Sequence, residues 1–381
     1  MSGSYLCPSC GFPLCGPSCR PGHHQAECAV FARANFQADI EDVKVADDHY
    51  AAILPLRCLA VRRNRPNMWK QFMSFLSHCE GRRANRAQWA FLQEHSVEMV
   101  RDVCELEDEV GEEELHKIIG IFTINSLEVE LEEGYGEEMG FYPTFANINH
   151  SCISNAKVVK LLDKRVEVRA KTRIPAGEEI TIQYLTEMLP TSVRRPLIAR
   201  KWFFGCLCPR CQEPGECGLH LGSLLCPGEG GGGGRGCQGA VLPLHPLLQD
   251  SDYQCESCQL TLTSEQVTSI NQAAEEEIKR SRAGDLLGNL EGFLHRHGSV
   301  LHPGHHTIVA ASLRLGWLYG RWPGGGLAAL TRPERERKVQ CCSAALATLA
   351  TLDSGGRNRW RERMVGELAA MARLASPRII L

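Results

Sequence analysis

Between residues 31 and 125, apolar side chains recur at spacings of three and four. Met68–Leu76 (MWKQFMSFL), Ala87–Leu92 (AQWAFL) and Glu114–Phe122 (ELHKIIGIF) each place an apolar stripe along a helix and predict helices. From 141 to 187 the character changes. Lys157–Leu162 (KVVKLL) and Arg165–Ala170 (RVEVRA) flank Asp163 and Lys164 and predict a β-hairpin, and Ile174–Tyr184 (IPAGEEITIQY) reads as a turn entering a strand. Beyond Ser264 the helical spacing returns. Val309–Gly320, Lys338–Leu352 and Arg363–Leu374 predict packed antiparallel helices, with no clean repeat of about 34 residues. Residues 1–30 and 200–260 carry neither period. They are cysteine-rich, and the glycine run Gly230–Gly234 reads as a flexible loop tip between metal ligands.

Composition narrows the classes. At 381 residues the chain has room for two or three lobes with a sizeable core. A formal charge of −3 argues against a general nucleic-acid binder, which would be basic. No apolar run of about 18 residues argues for a membrane span, and the first thirty residues do not read as a signal peptide. Cytoplasm or nucleus is the expected setting. In such a compartment, 19 clustered cysteines point to metal in preference to disulfides.

Three cysteine sets stand out. The first reads CPSC, CGPSC, HHQAEC and offers Cys7, Cys10, Cys15, Cys19 and Cys28. Thiolate pairs two or three residues apart can bend onto one tetrahedral Zn2+. His24 and Cys28 add a pair one helical turn apart, with His23 the competing imidazole and His24 preferred on spacing. The second set is Cys206, Cys208 and Cys211, three thiolates of an incomplete site. Spacing alone leaves the fourth ligand open, and Cys217 is near. The third, Cys226, Cys237, Cys255 and Cys258, is similar to a zinc ribbon with a stretched first knuckle; two disconnected turns are the alternative. Cys58, Cys79, Cys104, Cys217, Cys341 and Cys342 are scattered and read as free thiols.

The order C-x2-C, C-x3-C, H-x3-C resembles the last six ligands of a MYND zinc finger. ANINHSCISN (Ala146–Asn155), GEEITIQY ending at Tyr184 and FFGCLCPRC ending at Cys211 together resemble the carboxyl-terminal half of a SET domain with its post-SET cysteines. Finger, helical insert, SET motifs, post-SET cysteines and helical tail, in that order, resemble the SMYD family. LHPGHH and LGWLYG are similar to its arthropod, SmydA-like branch. The resemblance implies an α+β fold. A SET β-fold would carry a partial MYND finger (1–30) and a helical insert (31–125), then the carboxyl-terminal half of SET (126–190). A post-SET and ribbon-like region (200–262) and a helical bundle (264–381) would follow. It also implies that Cys7, Cys10, His24 and Cys28 complete one zinc site, that Cys15 and Cys19 are half of another, and that Cys152 is the fourth ligand of the second set. The family's amino-terminal SET strands, with their G-x-G loop, would precede the finger. Only six residues precede Cys7, so the chain reads as truncated at its amino terminus.

Carried over residue by residue, Tyr184 is the expected active-site tyrosine. Asn125, Asn149, His150, Trp202 and Phe204 are expected at S-adenosylmethionine and the lysine channel. Lysine is almost wholly protonated at pH 7, and an aromatic channel beside a sulfonium disfavours that charge. Chemistry then needs positioning, with no metal and no strong base. Each residue also has a plain reading: Tyr184 as half-buried packing, Asn149 as a turn former, His150 as a satisfied core histidine, Trp202 and Phe204 as core. Glu178 and Glu179 read as an exposed turn. Ser154 stands where the family motif has proline, a change of small expected cost. Two functions remain in view: a protein-lysine methyltransferase acting on histone or other lysines, and a zinc-stabilised scaffold whose finger binds proline-containing peptides.

Overall fold

The computed structural model describes residues 5–14, 16–18, 24–38, 50–130, 137–161, 163–228, 237–281, 284–321, 325–352 and 359–375. The chain divides into two compact units, Met1–Asn147 with Lys160–Arg165, and Ile148–Val159 with Val166–Leu381. Its mixture of helices, short strands and cysteine groups is an α+β architecture.

In the first unit, strands β1 (Tyr5–Leu6) and β2 (Pro13–Leu14) pair antiparallel ahead of α1 (Gln25–Arg33). Then come α2 (Ile53–Asn64), α3 (Pro66–Phe72), α4 (Cys79–Arg83), α5 (Arg86–Leu92), the π-helical α6 (Gln93–Val103) and α7 (Glu112–Asn125). Helix α7 fills the middle of the unit, burying Leu115, Ile118, Ile119 and Ile121 in one cluster. The same cluster takes in Phe12 and Phe31, stacked at 4.9 Å, so the cysteine-rich start shares the core of the helices. The helix predicted over Met68–Leu76 stops at Phe72. There Gln71 O accepts the Ser74 hydroxyl at 2.7 Å, and single tight turns at Ser74 and Phe75 replace the helical ladder. The helix predicted at Ala87–Leu92 instead runs on into α6, which buries Val97, Met99 and Val100. Strands β3 (Leu127–Glu130) and β4 (Glu137–Gly140) pair antiparallel.

The second unit opens with β5 (Asn149–His150) and the predicted hairpin, β6 (Ala156–Lys160) paired with β7 (Val166–Ala170). Arg165 N–H donates to Asp163 Oδ1 and Lys164 takes positive φ (65°), closing that turn. The strand expected before Tyr184 is only β8 (Thr181–Ile182), parallel to β5. Helices α8 (Thr191–Trp202) and α9 (Pro209–Gln212) precede a four-stranded sheet. Its strands are β9 (Leu224–Leu225), β10 (Ala240–Pro243), β11 (Tyr253–Cys255) and β12 (Thr261–Leu262), ordered β12-β11-β10-β9.

Five helices complete the chain: α10 (Ser264–Arg280), α11 (Leu286–His297), α12 (His306–Leu318), α13 (Arg332–Leu352) and α14 (Arg359–Ala375). Thr263 and Gln266 form a reciprocal capping box on α10. Helix α12 buries residues on nearly all sides, as a central helix must. The LHPGHH phrase supplies its cap. Buried His305 accepts from Thr307 N–H at Nδ1, and its Nε2 lies 3.1 Å from Asn271 Oδ1 on α10. At the far end, buried Lys338 donates to the Gly316 and Tyr319 carbonyls and pairs with Glu367 at 2.7 Å. Among the described residues no helix is long and apolar enough to cross a membrane.

Candidate active site and metal centres

Two segments about thirty residues apart lie side by side in the second unit. Asn149 and His150 pair in parallel with Thr181 and Ile182, and Ser151 N–H extends the ladder to Ile182 O. Asn155 bonds the other strand with its side chain. Its Oδ1 accepts from Thr181 N–H at 2.9 Å, and its amide donates to Glu179 O (2.8 Å) and Glu178 Oε1 (3.1 Å). Asn149 donates its amide to Glu179 Oε1 at 2.7 Å, and Gln183 donates to Cys152 O at 2.9 Å. The acidic pair at 178 and 179, expected as an exposed turn, thus holds the two asparagines. Ser154 is buried, and its hydroxyl finds no hydrogen-bond partner among the described residues.

Tyr184 is gripped at both ends by this arrangement. Its hydroxyl donates to Ile148 O at 2.7 Å, and its backbone N–H donates to His150 Nδ1 at 3.0 Å. Burial, seconded by the Glu179 carboxylate, holds the phenol above its ordinary pKa. The rings of Tyr184 and Trp202 are 5.0 Å apart, and His150 is 5.2 Å from Tyr184 and 6.2 Å from Phe204. Phe203 makes this possible by ending α8 in the left-handed region (φ 61°), a conformation costing roughly 1–2 kcal/mol for a non-glycine residue. Lys201 Nζ lies 4.7 Å from the centre of the Trp202 ring, so that face already accommodates a cation.

His150, Tyr184, Trp202 and Phe204 therefore form one aromatic group, with Asn149 beside it in sequence. Asn125 belongs to the first unit. There its amide donates to Ile121 O (2.8 Å) and Leu76 O (3.1 Å) at the end of α7.

Comparison with known proteins agrees with this geometry. A SET domain family model matches residues 29–185. SET domain-containing protein SmydA-8 isoform A of Drosophila melanogaster is 25% identical over 253 residues, covering 66% of this chain and 51% of its own length. Histone-lysine N-methyltransferase SMYD3 of Mus musculus is 37% identical over 95 residues, 25% of this chain and 21% of that protein. Human SMYD1, also named as a histone-lysine N-methyltransferase, is 27% identical over 118 residues, 28% and 24% of the two chains. Residues 29–185 thus match the SET domain, and the chain is similar to SMYD-family SET proteins, SmydA-8 among them. It spans about half the length of the SmydA-8 isoforms it matches.

Among the described residues, three groups bring cysteines together, each with ligand atoms within 4.8 Å of one another. They are Cys7, Cys10, His24 and Cys28; Cys152, Cys206, Cys208 and Cys211; and Cys226, Cys237, Cys255 and Cys258. Zinc–sulfur bonds of about 2.3 Å in a tetrahedron place sulfurs about 3.8 Å apart. Observed separations are 3.6 Å for Cys7–Cys28, 3.6 and 3.9 Å for Cys152 to Cys211 and Cys206, and 3.5 and 3.7 Å for Cys226–Cys258 and Cys237–Cys255. A disulfide would need about 2.05 Å. The donor sets and spacings fit Zn2+. Cys152 is the fourth member of the second set, and Cys217 lies outside it. The third set sits on the β9–β12 sheet as two knuckles, so the alternative of disconnected turns falls away. Gly239 is needed there, since a Cβ would meet Ser257 Oγ at 2.6 Å and Cys255 Sγ at 2.8 Å. Cys15, Cys19 and His23, expected at or near the finger's ligands, lie outside the described residues.

The surroundings of two groups carry polar residues that spacing does not announce. His24 presents Nε2 to Cys10 Sγ (3.0 Å) and Nδ1 to Glu27 (3.3 Å), a carboxylate buried under Arg57 at 2.6 Å. That carboxylate orients the imidazole. At the second group, buried Arg194 donates Nε–H to Cys152 Sγ at 3.2 Å and pairs with Glu216 at 2.7 Å, and buried Arg210 reaches the same carboxylate oxygen at 3.2 Å. Two guanidiniums against one carboxylate leave positive charge unbalanced, and a thiolate–metal cluster offsets it. Arg210 Nε and Nη1 have no hydrogen-bond partner among the described residues, which leaves that positive charge the less satisfied.

Proposed function

We propose that the chain is a SET/MYND-type protein-lysine N-methyltransferase that uses S-adenosylmethionine, with lysines of histones or other proteins as substrate. The observation that carries this reading is the aromatic group His150–Tyr184–Trp202–Phe204, built on the paired Asn149–His150 and Thr181–Ile182 segments. The matched SMYD1 and SMYD3 proteins, named as histone-lysine methyltransferases, support it.

S-Adenosylmethionine, when bound, supplies a methyl group activated by a sulfonium. The residues present fit such a cation: aromatic faces converge, and Trp202 already faces an ammonium. Asn149 and His150 would hold the methionine end and adenine largely through main-chain groups, their side chains being engaged elsewhere in the site. Trp202 and Phe204 would line the lysine channel, where desolvation lowers the substrate amine's pKa. The Tyr184 hydroxyl, kept protonated by burial and donating to Ile148 O, retains oxygen lone pairs to accept an amine N–H. That bond turns the amine's own lone pair toward the methyl group. The cysteine groups would hold structural Zn2+, with Cys15 and Cys19 contributing to a further site. The finger is a candidate dock for proline-containing peptides, and cytoplasm or nucleus the proposed location.

Calorimetric titration of the zinc-loaded chain with S-adenosylmethionine tests the reading. Saturable heat that is lost in Asn149→Ala, and methyl incorporation into histones that falls about 100-fold or more in Tyr184→Phe, are expected. No heat at millimolar cofactor with wild-type protein would overturn it and leave the zinc-stabilised scaffold.

A further inference from the structure

His150 lies between the aromatic group and the four-cysteine group, and both of its ring nitrogens are used. Nδ1 faces the backbone N–H of Tyr184 at 3.0 Å and must accept, which places the ring proton on Nε2. Nε2 lies 3.3 Å from Cys152 Sγ, the sulfur that also receives Arg194 Nε–H at 3.2 Å. The same sulfur lies 3.6 and 3.9 Å from those of Cys211 and Cys206. Four residues before Cys152, Ile148 O receives the Tyr184 hydroxyl at 2.7 Å. The segment 148–152 thus holds Tyr184 by its backbone through the His150 ring and by its hydroxyl through Ile148, and it ends at Cys152.

We infer that His150 is a positioning residue that makes the four-cysteine metal group and the tyrosine site one unit, so that metal occupancy at Cys152 sets the placement of Tyr184. A metal shared with Cys206, Cys208 and Cys211 would fix the place of Cys152 Sγ; that sulfur holds the His150 ring at 3.3 Å, and the ring and Ile148 O hold the tyrosine. Without the metal, Cys152 is released from the other three sulfurs, and the grip of segment 148–152 on Tyr184 slackens. Oriented partners of metal ligands are commonly worth about 10–100-fold in metal affinity, and His150 should show an effect of that size. The consequence for methyl transfer rests on the function proposed above; the bridge itself does not.

The test uses the full zinc-loaded chain labelled with 3-fluorotyrosine, the Tyr184 fluorine resonance being assigned by its loss in Tyr184→Phe. Extracting zinc with a chelator, or Cys152→Ser alone, should move that resonance, whereas Cys237→Ser, which disables the separate ribbon group, should not. His150→Ala should move it even with zinc saturating, and should weaken zinc binding at one group about 10–100-fold in competition with a chromophoric chelator. His150→Asn retains an acceptor near the Nδ1 position and lacks the Nε2 donor. It should return the resonance toward its wild-type position without restoring zinc affinity, a split that general loss of packing would not produce. The Tyr319 resonance, from α12, reports whether each variant remains folded. A Tyr184 resonance indifferent to Cys152→Ser and to zinc extraction would overturn the inference, as would wild-type zinc affinity in both His150 variants. Should the chain prove unable to bind S-adenosylmethionine while these shifts appear, the bridge stands and the methyltransferase reading falls. An active enzyme with a zinc-indifferent Tyr184 has the reverse meaning.

Discussion

Replacing Glu216 by glutamine keeps the side chain's shape and removes the negative charge that Arg194 and Arg210 share. All three side chains are buried, and the guanidinium nitrogens lie 2.7 and 3.2 Å from one carboxylate oxygen. At an effective dielectric of about 20, the closer pair alone amounts to roughly 6 kcal/mol of attraction before desolvation. Breaking such a buried pair on one side costs about 3–5 kcal/mol. In metal-free protein, with the cysteines protonated, Glu216→Gln leaves two like charges facing each other and the full loss is expected. With zinc bound, four thiolates around Zn2+ carry net negative charge beside Arg194 and offset part of it. The loss should then be smaller by about 1.5–3 kcal/mol, the worth of a hydrogen bond to a charged group. Urea denaturation of wild type and variant, each zinc-saturated and chelated, measures both losses. Equal losses in the two states would refute the reasoning, and so would a variant indistinguishable from wild type in chelated protein.

Three further outcomes are expected. Ser154→Ala removes a buried hydroxyl with no partner among the described residues, and should leave the urea midpoint unchanged or raise stability by up to about 1 kcal/mol; a loss above that would show that the hydroxyl is satisfied. His116 is stacked on Trp89 at 3.7 Å. Burial, aided by Arg82 and Arg83, lowers its pKa to about 4. Its folded pKa lies below the unfolded value of about 6.5, so the unfolded state binds the proton first. Stability should be complete above that value and fall as pH drops from about 6.5 toward about 4; His116→Phe should flatten this part of the urea-midpoint profile. Finally, native mass spectrometry should find zinc, with Cys152→Ser and Cys237→Ser each removing one ion. Failure of either to do so would break the assignment of that group.

Much of this molecule could be read from residue order, for reasons that differ by element. The cysteine groups were legible because tetrahedral ligands come in short paired spacings, and the β6–β7 hairpin because Asp163 and Lys164 interrupt two apolar runs. That Cys152 joins the second group came from resemblance alone, since Cys152 and Cys211 are separated by 59 positions and no spacing rule reaches that far. Polar pairing was invisible for the same reason. Nothing local marks Glu179 as the partner of Asn149, Glu216 as the carboxylate between two arginines, or Glu27 as the support of His24. The histidine at 150 has the satisfied, half-buried ring of its plain reading, and nothing local marks Tyr184 and Cys152 as its partners. Helix α6 went unread although Val97, Val100 and Val103 recur at a spacing of three.

The distance along the chain between Cys152 and its partners also has a consequence during protein synthesis. A ribosome adding about 5–20 residues per second needs roughly 3–12 seconds to travel the 59 positions from Cys152 to Cys211. Over most of that interval Asn149, His150 and Cys152 are already made, while the three remaining sulfurs and Trp202 are not, and the full set is present only at its end. The nascent chain therefore passes through a period in which the heart of its site is an unpaired strand with a bare thiol. Its yield in a cell should depend on how well reductants, zinc supply and chaperones cover those seconds.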